Sequence, residues 1–284
     1  MTDDTQTGTR TIVISGGTDG MGRALALGRI ARGDTVVVIG SSPGKGAALR
    51  REAGTDRLVY LRADLTGIAE NRRVVAEITG RFPAVDALVL FANRPTKVRK
   101  ETADGLESVF ALYYLSRHLL SHGLRPLLES AREPVIVSVA GVGNTAGAVQ
   151  WEDMQLKGRF GTVLSQLHGG RATDLLGVAF AERTAGSVPF LMYHPGFTRS
   201  GDTSFLNPVL RIVMRGMQVF ANPVAKSVAP IHGWIESPPR EALTAIDRGN
   251  PVDLSVKTLD PADARRLDEY TEELLRTVSV RKGS

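Results

Sequence analysis

Gly16, Gly20 and Gly22 fall in the spacing G-x-x-x-G-x-G, directly after the apolar β-branched run Ile12, Val13 and Ile14. Glycines in such a turn let backbone approach a pyrophosphate closely. A helix beginning near Gly20 would aim its unpaired N–H groups and the positive end of its dipole at the same charge. The chemistry this stretch could do is dinucleotide binding. A glycine-rich turn that binds nothing has the same spacing, and the strand before and helix after are what favour the binding reading.

Other reactive side chains are scattered. Arg94 and Arg199 follow strand ends and could hold a phosphate or an acidic substrate group, although a solvated surface arginine is the default. His118, His122, His168, His194 and His232 have no carboxylate or cysteine partner at ligand spacing. His118 and His122 stand four apart, but two imidazoles alone rarely make a metal site, and no metal is expected. His168 reads as a solvated or satisfied histidine. Cysteine is absent, so disulfides and thiolate chemistry are excluded, and a cytoplasmic location is expected.

The elements that must position these groups alternate along the chain. Strand signals lie at 35–39, 58–61, 87–91, 134–139 and 188–193 after the first strand, with helical spacing to about 53 and over 68–79, 104–130 and 162–183. Alternation of this kind builds right-handed βαβ crossovers and a parallel, doubly wound α/β sheet, here as a single domain over 10–284. The helix at 104–130 turns Leu106, Val109, Phe110, Tyr113, Tyr114 and Leu120 inward, and Gly123 and Pro126 are the points where it could bend or split. Residues 205–220 carry apolar side chains at helical spacing, Met214 and Met217 among them. They suit either a packed surface helix or, following a turn at the ligand edge, a substrate lid assigned to 201–222. The segment 260–275 opens on Asp260-Pro261 and reads as a peripheral amphipathic helix. Residues 1–9, with Asp3 and Asp4, lack the features of a signal peptide and read as a disordered tail. The net charge of +5, from 35 basic and 30 acidic residues, is scattered, so no nucleic-acid partner is expected. No apolar run approaches ~20 residues, so no membrane span is expected.

Asp64-Leu65 after the third strand, Ala92-Asn93 after the fourth and Pro195-Gly196 after the sixth complete a set with the first turn. On these motifs, from about Arg10 to Leu275, the chain resembles the short-chain dehydrogenase/reductase family. Segments 151–156 and 260–267 resemble its branch of retinol dehydrogenases and protochlorophyllide reductases. The resemblance implies a Rossmann-type sheet and hydride transfer with a nicotinamide dinucleotide. It implies Ser15, Gly16, Thr18, Asp19, Gly20, Met21 and Gly22 around the pyrophosphate, and Asp64 on the adenine with Leu65 beside it. It implies Ala92 and Asn93 along the ribose, and Pro195, Gly196, Phe197, Thr198 and Ser200 at the nicotinamide carboxamide. Asp64 could equally cap the helix that follows it.

A carboxylate at the end of the second strand would bind the 2′-OH of NAD and repel a 2′-phosphate. Gly40 stands there, followed by Ser41 and Ser42 with Lys45 a turn later. Hydroxyls and a cation suit a phosphate, so NADPH/NADP is the expected cofactor. Asp19 works against this, unless it serves only as a helix cap.

The family's catalytic set does not carry over. Its tyrosine position falls on Gln166, its lysine on Gly170, its serine on Gly141 and its asparagine on Tyr113, and no Tyr-x-x-x-Lys occurs anywhere. Ser138 is expected on the other face of its strand. Tyr113 is the weak candidate for a substitute acid, a core aromatic beside Tyr114 being the plainer reading. Two classes of function remain. In one, the chain is a reductase whose substrate brings its own hydroxyl. In the other, it is a dinucleotide-binding pseudoenzyme, or a cyclase or dehydratase on the same fold. The pattern of losses is similar to that of the family's atypical ketoreductases of angucyclinone (simocyclinone-type) biosynthesis. That implies a ketone on a polycyclic aromatic polyketide as the small-molecule substrate. The oligomeric state is not legible.

Overall fold

The computed structural model describes residues 9–196 and 223–283. Residues 1–8 of the expected tail at 1–9, Phe197, Thr198, Arg199 and Ser200, and the lid at 201–222 lie outside the described residues. A single sheet runs in the order β3-β2-β1-β4-β5-β6-β7-β8. β1 (Thr11–Ser15) is central, pairing in parallel with β2 (Thr35–Gly40) through Ile12↔Val36 and with β4 (Ala87–Leu90) through Ile12↔Ala87. β3 (Leu58–Arg62) flanks β2. β5 (Val135–Val139), β6 (Phe190–His194) and β7 (Leu243–Asp247) extend the parallel sheet on the other side, and β8 (Asn250–Pro251) closes it antiparallel to β7.

Both faces of the sheet are covered, which is why the central strands read as unbroken apolar runs. The pleat sends Val13, Val37, Leu88 and Ile136 to one face. There they meet α3 (Ile68–Arg81) and α7 (Thr162–Arg183). Ile12, Ile14, Val36, Val89 and Val137 go to the other face, against α1 (Gly20–Ile30) and α8 (Val224–Glu236). α2 (Pro43–Ala53) starts at the Ser42 cap and ends at Gly54 in the left-handed conformation.

The long helix expected at 104–130 is interrupted. It begins later, as α4 (Ser108–Phe110) under a Glu107 cap, and passes through a π-turn at Ala111–Leu115 into α5 (Ser116–Gly123). It then breaks at Leu124 before α6 (Arg125–Glu129), between the two residues expected to split it. Asp104 is not part of the helix; its carboxylate accepts from the Ile68 N–H at 2.8 Å and caps α3. The last helix, α9 (Pro261–Gly283), starts at an Asp260 cap as expected but is not peripheral. Ala264, Leu267 and Thr271 are buried, and its inner face belongs to the core shared with α7.

Candidate active site

The glycine turn joins β1 to α1 at the carboxyl edge of the sheet. Two of its glycines are required by space. A Cβ on Gly16, which sits at φ +72°, would stand 2.9 Å from the Ala92 nitrogen; a Cβ on Gly22 would stand 2.4 Å from the Gly16 carbonyl oxygen. The turn is thus packed on the loop after β4 and under its own helix, which leaves the N-terminal N–H groups of α1 at its open side. Asp19 is the N-cap, its carboxylate accepting from the Gly20 N–H at 2.8 Å. Met21 packs against the core. Ser15 is the last residue of β1, and its hydroxyl is wholly buried without a hydrogen-bond partner.

At the end of β2, Thr18 closes over Gly40, where an added Cβ would lie 2.7 Å from the threonine side chain. No carboxylate fits there without displacing Thr18. Around this point the structure gathers Ser41, Ser42, Lys45 and Arg94, the last donating to the Ser41 hydroxyl at 3.2 Å. The Ser42 hydroxyl accepts from the Lys45 N–H and caps α2. The Lys45 ammonium is paired with Asp19, and this pair holds the Asp19 carboxyl below its usual range. Across β3, Asp64 is exposed and forms a turn with Thr66, accepting from its N–H at 3.1 Å and its hydroxyl at 2.9 Å. It is therefore not the cap of α3, a place taken by Gly67. Leu65, beside it, buries its side chain in the core, and its carbonyl accepts from Asn71.

The loop after β4 and helix α7 define the other end of the edge. Asn93 and Gln166 form a reciprocal amide pair, with Asn93 Nδ2 donating to Gln166 Oε1 at 2.7 Å and Gln166 Nε2 donating to Asn93 Oδ1 at 3.3 Å. Ala92 lies buried beneath them. A Cβ on Gly170 would meet the Tyr113 hydroxyl oxygen at 3.7 Å, an ordinary contact, and a Cβ on Gly141 would meet nothing within 4 Å. Tyr113 lies in the π-turn, is 7% exposed, and its carbonyl accepts from the Thr173 hydroxyl at 2.8 Å. Burial raises its pKa, which suits a core aromatic better than a proton donor.

Arg117, one turn on, escaped sequence reading. It is wholly buried, stacks its guanidinium 4.9 Å from the Tyr113 ring centre, and donates to the Ser138 hydroxyl at 2.8 Å. Burial pulls it down to about 10, still charged at neutral pH. Ser138 is thereby engaged inside the fold and does not line the site. The missed signal was a charged residue on the same inward stripe as Tyr113 and Leu120.

The glycine turn, the Ser41–Arg94 cluster and the Asn93–Gln166 pair lie where the parallel strands β1, β2 and β4 end. The family model for short chain dehydrogenases matches residues 10–152. The chain belongs to the short-chain dehydrogenase family. This is an oxidoreductase family, and the fold is the one its members share. A protein of Streptomyces sp. (strain C5) named as the daunorubicin C-13 ketoreductase DnrU is 26% identical over 248 residues, covering 83% of this chain and 80% of its own. An uncharacterised protein of Mycobacterium paratuberculosis superposes with a TM-score of 0.71 at 22% identity, over 94% of this chain and 93% of its own. A short chain dehydrogenase of Escherichia coli CFT073 complexed with NADPH gives 0.63 at 18% identity, over 85% of this chain and 97% of its own.

As a short-chain dehydrogenase the chain holds the loop between β5 and α7 with buried polar anchors. His168 is a satisfied core histidine. Its Nδ1 accepts from the Gln150 N–H at 3.1 Å, its Nε2 lies 3.1 Å from the Met154 carbonyl, and its ring stacks on Phe110 at 5.5 Å. Burial drops it to about 4. Arg171, paired with Asp174 at 2.8 Å, donates to the Asn144 carbonyl at 2.7 Å and so ties the loop after β5 to α7. After β6 come Pro195 and Gly196, the latter at φ +77°, which turns the chain at the sheet edge. Two histidines do have carboxylate neighbours, contrary to expectation: His194 lies 2.7 Å from Asp247 and His118 lies 4.0 Å from Asp268. Each pair comes from residues far apart in the chain, where spacing carries no signal.

Proposed function

We propose that this chain is an NADPH-dependent ketoreductase that reduces a ketone on a polycyclic aromatic, angucyclinone-type polyketide in antibiotic biosynthesis, with the proton coming from the substrate's own hydroxyl. The observation that carries this reading is a contrast along one edge. The glycine cradle is built to contact distance, while the positions facing it across α7 present a neutral amide pair, Asn93–Gln166, and the bare glycines Gly141 and Gly170. The named ketoreductase relative from Streptomyces supports the reaction class, and the NADPH bound by a fold neighbour is in keeping with the cofactor.

The residues present fit a dinucleotide: the backbone of Gly16 to Gly22 would hold the pyrophosphate, and Ser41, Lys45 and Arg94 the 2′-phosphate. Asp64 would hold the adenine, and Ala92 and Asn93 the ribose. When bound, NADPH supplies the hydride that reduces the carbonyl carbon. The chain's own contribution is positioning and exclusion of water, which supplies much of the rate by itself. A phenol hydrogen-bonded to the ketone polarises the carbonyl, passes its proton to the alkoxide oxygen, and recovers one from water. A positioned general acid is worth ~10²–10⁴-fold, or roughly 3–5 kcal/mol of barrier, and here the substrate provides it. Among the described residues no helix is long and apolar enough to cross a membrane, and we place the enzyme in the cytoplasm.

The test is NADPH oxidation with a peri-hydroxylated aryl ketone and with its methyl ether. The ether should lose ~10²–10⁴-fold in kcat with KM little changed. NADPH binding without oxidation across a panel of such ketones would overturn the reductase reading, and an ether turned over at the parent rate would overturn the proton source.

A further inference from the structure

We propose that His118, His122 and Asp268 form a binding site for a divalent cation of the zinc class, linking α5 to α9. One ligand atom from each of the three side chains lies within 4.8 Å of the other two. His118 is buried and the other two are half-buried, and His118 Nδ1, His122 Nε2 and Asp268 Oδ1 are each shielded from solvent without a hydrogen-bond partner. His118 is 5% exposed, and its Nδ1 is 4.0 Å from Asp268 Oδ1, too far for a hydrogen bond. Leaving one buried polar atom unsatisfied is costly, and three converging on one point need a shared partner.

The elements hold these groups in place. His118 and His122 are four apart on α5, so their rings share a face and stand 4.4 Å apart. Asp268 enters from α9. The two helices are clamped one turn away, where the Tyr114 hydroxyl meets the Thr271 hydroxyl at 2.6 Å in the core. Arg183 occupies the other Asp268 oxygen at 3.0 Å, which leaves Oδ1 aimed at the histidines. Arg183 also pairs with Glu272. Phe180 packs on His122 and Tyr114 on His118, so the walls are aromatic.

Two imidazoles and one carboxylate are a zinc donor set, with water completing the tetrahedron. Bonds of about 2.0–2.2 Å put tetrahedral ligand atoms roughly 3.3 Å apart, so side-chain adjustments of about an ångström close the site. Magnesium and calcium, which require oxygen donors, are excluded by the same chemistry. The site is independent of the proposed reductase activity.

The experiment uses the full chain without a histidine tag, dialysed against EDTA. Zinc chloride titration should give one site per chain with a Kd of roughly 10 µM or tighter. A hundredfold excess over Kd should raise Tm by about 5 °C, and cobalt(II) should give the visible absorption of a tetrahedral complex. His122→Gln and Asp268→Asn should each weaken zinc binding by at least ~10-fold while retaining a single cooperative melt. Wild-type Tm unmoved by zinc, or zinc bound equally by wild type and both variants, would overturn the site in favour of a buried water.

Discussion

At Gly16 and Gly22 an added methyl would stand 2.9 and 2.4 Å from backbone atoms; at Gly141 it would find nothing within 4 Å, and at Gly170 its nearest contact would be 3.7 Å away. Gly16 and Gly22 lie at the turn after β1, Gly141 in the loop after β5 and Gly170 on α7, and the two pairs answer to different physics. At the cradle, glycine is demanded by backbone packed on backbone, which cannot relax by turning a side chain. Across the edge, a serine or a larger residue would fit, so glycine is there for want of a task, or to leave room for a ligand. On the proposed reading, a cofactor turn held by sterics can coexist in one fold with an acid set whose positions are held by nothing but chemistry.

Four experiments would break or sharpen this contrast. Gly22→Ala should cost roughly 3 kcal/mol of stability and weaken dinucleotide binding more than ~10-fold, read by urea melts and fluorescence titration. Near-normal binding would mean that the turn is looser than its contacts imply. The second addresses the buried anchors of the loop between β5 and α7. His168 has its pKa lowered to about 4 by burial against about 6.5 when unfolded. A base with a depressed folded value stabilises above its unfolded pKa and loses that contribution as pH falls from about 6.5 to about 4. Stability at about pH 4.5 should therefore sit on the order of 2–3 kcal/mol below that at about pH 7.5 for this group alone, with His118, His122 and His232 adding in the same direction. His168→Gln should flatten the slope, and an unchanged slope would remove His168 as its source.

The third is smaller. Asp19→Asn keeps a good cap for α1 but frees Lys45, and should raise the preference for NADP over NAD about two- to fivefold. Equilibrium binding of both cofactors checks it, and a shift toward NAD would remove Lys45 from the phosphate site. The smallest effect belongs to Gly141→Ser, which should melt within ~0.5 kcal/mol of wild type. A larger loss would show that the open space there is structural.

How much of this was legible in the sequence depends on range. β1 to β6, the turn between β1 and α1, and α7 follow from local patterns: β-branched runs, glycine spacing and 3.6-residue periodicity. β7, β8 and α8 did not, because short strands and a helix carrying Pro230 give weak local signals. The π-turn at Ala111–Leu115 left no mark, since an i→i+5 bond uses the same residue types as its neighbours. In the site, Gly16, Gly22 and the vacated positions were readable one by one. What filled the vacancies was not: Asn93 meets Gln166 across 73 residues, and Arg117 reaches Ser138 across 21. That the Ser15 and Leu65 side chains are buried was not legible for a related reason. A motif gives the backbone path of a turn, while burial of each side chain is decided by the neighbouring strands.

The Asn93–Gln166 pair has one more consequence. An amide neither gains nor loses a proton across the range in which enzymes work, whereas a tyrosine beside a lysine titrates within it. With the substrate's phenol as proton source, the ascending and descending limbs of the rate against pH would be properties of the small molecule. The same polypeptide would then show a different optimum with each ketone it accepts, and a chemist altering ring substituents would retune the catalyst without touching the gene.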